Sequence, residues 1–591
     1  MELTCDSSCK RFCANILPQA IRESFMSILS VNGIRVFGVL ALLLGSVFAQ
    51  PSPGSESESG QALKVDALFK QLDRSSPGCA VGVMNSGEVI YSRGFGMASL
   101  QLGVPITLDL VFPVNSISKQ FTAMAVVLLS VQKKLSLQDD IHKYVPELQA
   151  YPYPVTIDEL LHQTSGLKDY DVLLTVAGSE PEFHETQEMV FDILRRQSEL
   201  NFTPGSQYMY SNTNYFLLGL IVERLSGKSL AAFAQQEIFG PLGMTRSRYR
   251  GDSEIIPGRV STYVKTSDGL RVVDDHRGVI GAGGVDTTIG DLAKWDRNFY
   301  DAKVGGREAL ELMLKRQKLT DGSWNDYLAG LENTTYRGLP VVEHAGDGYG
   351  SQSNIMRFPD QHFTAVVLCN VRNQVRPSEL TRKIADIYLD GQFKDAEAAN
   401  GKQALASPQL LTSPQDFVGL YWDGKTEGVY RVELKDGKLT ILELPFYPDF
   451  PAVDLTYLGG SQFRDNNDTY ILQNANHQDI VRSAVAVTNP RTITLFRVAE
   501  AEASPQAIGE LAKSFYSGDL DATWKFVMKR DRLVLERKGF PDEVLEPAFR
   551  DAFFCDAAIG IIHFTRDGQG GINGVDAINH RLFRIHFTKQ D

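Results

Sequence analysis

Residues 113–129 read PVNSISKQFTAMAVVLL, and this stretch decides what kind of chain this is. Phe121 to Leu129 is apolar except for Thr122, which predicts a helix apolar on nearly every side and therefore enclosed by a core. Ser116 and Lys119 open that helix. At i and i+3 the hydroxyl and the amine share one face, one turn apart. A buried lysine loses hydration, so its pKa falls and the neutral amine becomes available as a base. It can then take the serine proton, while the helix N-terminus favours the developing anion. The string alone is weak, since Ser-x-x-Lys starts at Ser7, Ser116, Ser130 and Ser165. Context separates the copies. Ser7 lies in an N-terminal leader, Ser130 lies near a polar helix end, and Ser165 is followed by Gly166 in a loop. For an isolated match the alternative reading is a helix N-cap serine with a surface lysine.

Working outward, Cys79–Met84 and Glu88–Arg93 read as strands around Asn85-Ser86-Gly87, a hairpin signal. Thr156-Ile157-Asp158-Glu159 is a capping box. Asn214 to Leu225 is a further apolar helix closed by Gly227. Residues 353–358 and 363–369 return to strand through Pro359-Asp360. Strands at both ends with helices between predict an α/β domain over 63–391 with one mostly antiparallel sheet. Residues 392–412 are polar and alanine-rich, a linker. Beyond them the pattern becomes short alternating strands. Residues 417–441 match 511–535 at an offset of 94–95, aligning Tyr421 with Tyr516 and Tyr430 with Trp524. Two related all-β, barrel-like modules are expected, over 413–501 and 504–591.

At the other end, Arg35 precedes the apolar run Val36–Phe48, and Val47 and Ala49 suit a cleavage site before Gln50. Residues 1–49 therefore read as a signal peptide, with translation starting at Met1 or Met26, and residues 50–62 as a polar linker. Export would leave the protein periplasmic or secreted, with no stable membrane span. The alternative is an uncleaved anchor. The formal charge of −13 and pI near 5.4 give no electrostatic footprint for nucleic acid. The cysteines Cys79, Cys369 and Cys555 are widely spaced and odd in number; Cys79 and Cys369 fall in apolar runs and read as buried thiols. No HExxH string or close His/Cys cluster suggests a metal, and GAGG at Gly281–Gly284 lacks the setting of a nucleotide site, so no cofactor is expected.

Two further motifs follow Ser116-x-x-Lys119 in order. Tyr210-Ser211-Asn212 sits in a loop just before a helix, and His344-Ala345-Gly346 sits before a strand, followed by Asp347-Gly348-Tyr349-Gly350. With PVNSISKQFTA, LLHQTSGLKDY, PGSQYMYSNTNYFLLGLIVE and IFGPLGM, the chain resembles the serine β-lactamase and DD-peptidase superfamily over roughly residues 63–390. The resemblance implies the penicillin-recognising fold and an acyl-enzyme on Ser116. Lys119 and Tyr210 would share the proton traffic, either serving as acylation base. Asn212 would donate to the amide oxygen of the acyl group. His344 would stand where many relatives carry lysine. The backbone N–H groups of Ser116 and of Asp347, just after Gly346, would form the oxyanion hole.

The third motif departs from the β-lactamase pattern. His344 replaces a fixed cation and Ala345 a hydroxyl, which weakens recognition of a substrate carboxylate. A catalytic domain followed by two β modules looks like the D-aminopeptidase branch, whose barrels resemble lipocalins. The leading expectation is a hydrolase of small peptides or amides containing D-amino acids. The alternatives are an esterase of small acyl esters and a β-lactam or muropeptide sensor that stays acylated. The β modules are expected to bind ligand, cover the mouth of the site, or hold a homodimer together.

Overall fold

The computed structural model describes residues 53–179, 185–251, 254–273, 278–393, 413–423, 428–444, 453–459, 462–464, 468–474, 491–498, 504–555, 559–579 and 581–590. The signal peptide expected at 1–49 lies outside them, as does most of the 392–412 linker.

Strands β1 (Cys79–Asn85), β2 (Glu88–Phe95), β3 (Glu332–Tyr336), β4 (Leu339–Asp347), β5 (Gln352–Phe358) and β6 (Phe363–Cys369) form a six-stranded sheet in the order β3-β4-β5-β6-β1-β2. Every pairing is antiparallel. The chain enters with β1 and β2, leaves for the helices, and returns to lay β6 against β1. β1 and β6 are buried on both faces, and a strand's period of two sends alternate residues to opposite cores. Cys79, Val81 and Val83 join Val65, Phe69, Leu380 and Ile384 on one side. Ala80 and Met84 join the larger core of Phe121, Trp295 and Tyr215 on the other.

Residues Pro53–Leu68 are helical, where the polar composition predicted a linker over 50–62. Burial of Val65 and of Phe69 just beyond the helix, both 0 % exposed, anchors its C-terminal end to the sheet, a tertiary term that composition does not register.

The buried-thiol reading of Cys79 and Cys369 is overturned: the two form a disulfide across β1 and β6. They are directly opposed in the ladder. The adjacent pair Gly78 and Asn370 carries a backbone hydrogen bond, so the cysteines occupy the close, non-hydrogen-bonded position. With 290 residues between them, spacing carried no hint.

The two C-terminal β regions share a plan. In the first, strand Gly419–Asp423 pairs with the last strand, Arg491–Val498; in the second, Ser514–Ser517 pairs with Leu582–Lys589. Each sheet therefore curls until its ends are successive strands, which gives two nearly closed, barrel-like sheets of eight and nine strands. The aligned Tyr421 and Tyr516 both lie on the first strand of their module. The modules meet through Leu420, Val429 and Val498 against Ala548, Ile561 and Ile578. The second is also continuous with the catalytic core: Trp524 Nε1 donates to the Val176 carbonyl at 3.1 Å, and an Arg537 guanidinium N–H donates to that of Thr175 at 3.1 Å.

Candidate active site

The nucleophile turn is built before the helix. Asn115–Ser118 form a 3-10 turn that runs into helix α1 (Lys119–Val131). Asn115 has φ of +50°, a left-handed conformation asparagine tolerates better than most residues. Its Nδ2 donates to the Ser351 carbonyl at 3.1 Å and to Ser351 Oγ at 3.0 Å, which fastens the turn to the loop after β4. Ser116 is half-buried and Lys119 fully buried.

Lys119 Nζ lies 3.1 Å from Ser116 Oγ, 2.8 Å from Asn212 Oδ1 and 2.6 Å from the Ala282 carbonyl oxygen. Two of these three neighbours can only accept. An ammonium can donate to all three; a neutral amine, with two N–H bonds and one lone pair, satisfies both carbonyls and offers its lone pair to the Ser116 proton. Lys119 Nζ is thus within proton-transfer reach of Ser116 Oγ. Tyr210 covers the amine from the other side, with Nζ 4.7 Å from its ring centroid. Burial pushes the Tyr210 phenol above its ordinary range, with neighbouring Ser116 and Arg581 opposing the rise.

Tyr210 and Asn212 are held by the loop carrying LLHQTSGLKDY. Ser211 N–H donates to Gln163 Oε1 at 3.0 Å and Asn212 N–H to Asp169 Oδ2 at 2.9 Å. Asn212 Nδ2 donates to Asp171 Oδ2 at 2.6 Å. One of its amide protons is therefore committed to Asp171, and only the other is left for the acyl amide that the resemblance assigned to it.

His344-Ala345-Gly346 lies within β4, one residue short of its end, and β5 follows after residues 348–351. Gly346 is required by packing: a Cβ there would lie 2.2 Å from the Val114 carbonyl and 2.3 Å from Ser353 Oγ. Only glycine lets this edge close onto the Val114 carbonyl, just ahead of the nucleophile turn. The Asp347 side chain turns to Arg372 at 3.2 Å. His344 is 2 % exposed. Its Nδ1 lies 2.6 Å from the Ala345 carbonyl and its Nε2 3.0 Å from Tyr327 Oη, so Nδ1 carries the proton and Nε2 accepts from Tyr327. Burial and the nearby Lys119 push its pKa down to about 3. His344 is a neutral group linked to Tyr327, not a substitute cation.

Ser116, Tyr210, Asn212, His344, Ala345 and Asp347 line one cleft of about 590 Å³. Lys119 and Gly346 act on it from behind. Sequence reasoning missed Asn115, Asp169, Asp171, Ala282, Tyr327 and Glu332, together with Asn579 and Arg581 of the second β module, which also line the cleft. Asn115, Asp169 and Ala282 lie in strings quoted above without a role of their own; the others belong to no motif. Ala282 and Tyr327 act through a carbonyl and a second-layer hydroxyl. Among the described residues no cluster of His, Cys, Asp and Glu could hold a metal ion, and no helix is long and apolar enough to cross a membrane.

Glu332, the first residue of β3, has no hydrogen bond or ion pair to its carboxyl among the described residues. Burial and the facing Glu343 push it up to about 7, against the pull of Arg382. A raised carboxyl costs stability where it must ionise: nothing below the unfolded value of 4.5, a growing amount as pH rises to about 7, and a constant amount above. Glu332→Gln is therefore expected to match wild type in urea unfolding at pH 4. At pH 8 it should be more stable, by at most about 3 kcal/mol. Equal curves at both pH values would contradict the raised pKa.

Comparison with known proteins agrees with this geometry. The family model described as Beta-lactamase matches residues 65–389. The chain is similar to penicillin-binding protein 4* of Bacillus subtilis (strain 168), 28 % identical over 327 residues, 52 % of this chain and 71 % of that protein. It is also similar to a D-aminopeptidase of Brucella anthropi, 28 % identical over 328 residues, 55 % of this chain and 62 % of the relative. Among solved structures, an octameric penicillin-binding protein homologue from Pyrococcus abyssi aligns with a TM-score of 0.50 at 20 % identity, over 83 % of this chain and 100 % of that one, a likeness of fold.

Proposed function

Because the chain belongs to the beta-lactamase family and is a serine hydrolase, we propose that it cleaves amide bonds of small peptides or amides containing D-amino acids, through an acyl-enzyme on Ser116. Attack of Ser116 Oγ on the carbonyl transfers its proton to Lys119, and the Ser116 and Asp347 amides receive the oxyanion. Collapse expels the amine, which takes the proton back through Lys119 or Tyr210. Water then repeats the sequence on the ester.

The observation that carries the choice of substrate is the state of His344. The third motif offers a neutral imidazole bonded to Tyr327 and an alanine in place of a hydroxyl, so it presents no cation of its own to a substrate carboxylate. This supports small amides over penicillins. Similarity to the D-aminopeptidase supports the D configuration. Export is part of the proposal, and the Cys79–Cys369 disulfide supports it, since such bonds persist in oxidising compartments.

The test is steady-state hydrolysis of D-Ala-p-nitroanilide, L-Ala-p-nitroanilide, p-nitrophenyl butyrate and nitrocefin. The expected result is turnover of the D-anilide well above the L-anilide, with nitrocefin slow. Ester turnover without anilide turnover would replace the proposal by an esterase. One stoichiometric burst followed by silence would replace it by a sensor.

A further inference from the structure

Arg581 reaches the cleft from the second β module, in the hairpin between strands Ile572–Asn579 and Leu582–Lys589. Its main chain is fastened to the catalytic domain. The Arg581 carbonyl accepts from Asp169 N–H at 3.3 Å and from Asn201 Nδ2 at 3.5 Å, while Phe583 N–H donates to Asn201 Oδ1 at 3.2 Å. Its guanidinium lies between two groups of the site, with Nη1 3.7 Å from Asp169 Oδ2 and Cζ 4.9 Å from the Tyr210 ring centroid.

Asp169 is 0 % exposed and belongs to the machinery at one remove. It accepts the Asn212 and Asp171 N–H groups at 2.9 Å each. Asp171 in turn holds the Asn212 side chain, whose Oδ1 receives Lys119. Asp169, the N-cap of the helix Tyr170–Ala177, and Asp171 in its first turn thus grip the main chain and side chain of Asn212. Their proximity is costly, because burial and Asp171 both favour the protonated form of Asp169, and a protonated carboxyl accepts fewer hydrogen bonds. Arg581 opposes them, as do the Asn212 and Asp171 N–H groups, and the balance still lies above the ordinary carboxylate value.

We propose that Arg581 is a positioning residue: the second β module supplies the cation that faces Asp169 and, through it, holds Tyr210 and Asn212 against Lys119. The module is then a working part of the site. The groups facing Asp169 are Asp171 in the first turn of the helix it caps, Arg581 from the module, and Tyr210 ahead of the 212–226 helix, with Lys119 and Glu332 beyond Tyr210. The inference rests on Ser116 as nucleophile but not on the identity of the acyl donor.

The test compares Arg581→Gln, Arg581→Lys, Asp169→Asn and the double variant Arg581→Gln/Asp169→Asn in the full chain. Each is followed across pH by hydrolysis of p-nitrophenyl butyrate and by the rate at which a fluorophosphonate labels Ser116. Removing the cation raises the pKa of Asp169, so the acid limb of kcat/KM should move to higher pH in Arg581→Gln. kcat should fall about 10- to 100-fold with KM little changed. Arg581→Lys should keep most activity, and the double variant, with no buried charge left to compensate, should exceed Arg581→Gln. A pH profile of Arg581→Gln that superimposes on wild type would overturn the proposal. So would a double variant that sums the two single losses. If Arg581→Gln does not fold, the double variant decides: folding with activity near that of Asp169→Asn supports the proposal, and failure to fold overturns it. Labelling without hydrolysis of any amide would sink the proposed substrate while leaving this inference to be read from the labelling rates.

Discussion

Ser116→Ala is expected to abolish turnover, lowering kcat by about 10⁴- to 10⁶-fold on every substrate the wild type accepts. The hydroxyl supplies the covalent step, and Lys119 Nζ lies 3.1 Å from it, beside the Asn212 and Ala282 carbonyl oxygens. Because Ser116 is half-buried in a turn held by Asn115 and Ser351, losing one oxygen should leave the fold intact. The measurement is kcat/KM together with fluorophosphonate labelling and a thermal melt. Activity surviving in a well-folded, unlabelled variant would move the chemistry away from Ser116.

Lys119→Met carries the second large expectation, a loss of about 10³-fold in kcat, within the range for removing a general base. Methionine keeps most of the buried volume but leaves Ser116 without a base, and it strips a donor from both Asn212 Oδ1 and the Ala282 carbonyl. Buried acceptors left unpaired cost about 1–3 kcal/mol each, so this variant, unlike Ser116→Ala, should also unfold at lower urea. Labelling of Ser116 should slow along with turnover, because the same proton must leave Ser116 in both reactions. Fast labelling with slow turnover would show that Lys119 serves deacylation only and would point to Tyr210 as the acylation base.

The motif residues were readable because each signal is local. Ser116 and Lys119 meet through helical spacing, Tyr210 and Asn212 through a loop closing into a helix, and Gly346 through a strand that must pass close to its neighbour. The repeat of Tyr421 at Tyr516 announced two similar β regions for the same reason. Residues without local signals stayed hidden. Asp169, Tyr327 and Glu332 are ordinary letters until the fold presses them around Tyr210, and Arg581 lies in a separate module. The helix over Pro53–Leu68 read as linker because its stability comes from docking, not from its polar letters.

By itself the sequence determined the type of most elements and the serine-hydrolase class, and it singled out Ser116 and Lys119 as candidate nucleophile and base, since these readings depend on contacts within a turn or two of the chain. Tertiary structure alone decided the disulfide, the neutral state of His344 and the entry of Arg581 into the cleft. Each depends on strand order and register, which bring distant segments together. β1 lies beside β6, so Cys79 faces Cys369. The end of β4 is buried against Tyr327, so His344 stays uncharged. The last hairpin docks on Asp169, the N-cap of the helix Tyr170–Ala177, so a buried acid of one domain meets a cation of another.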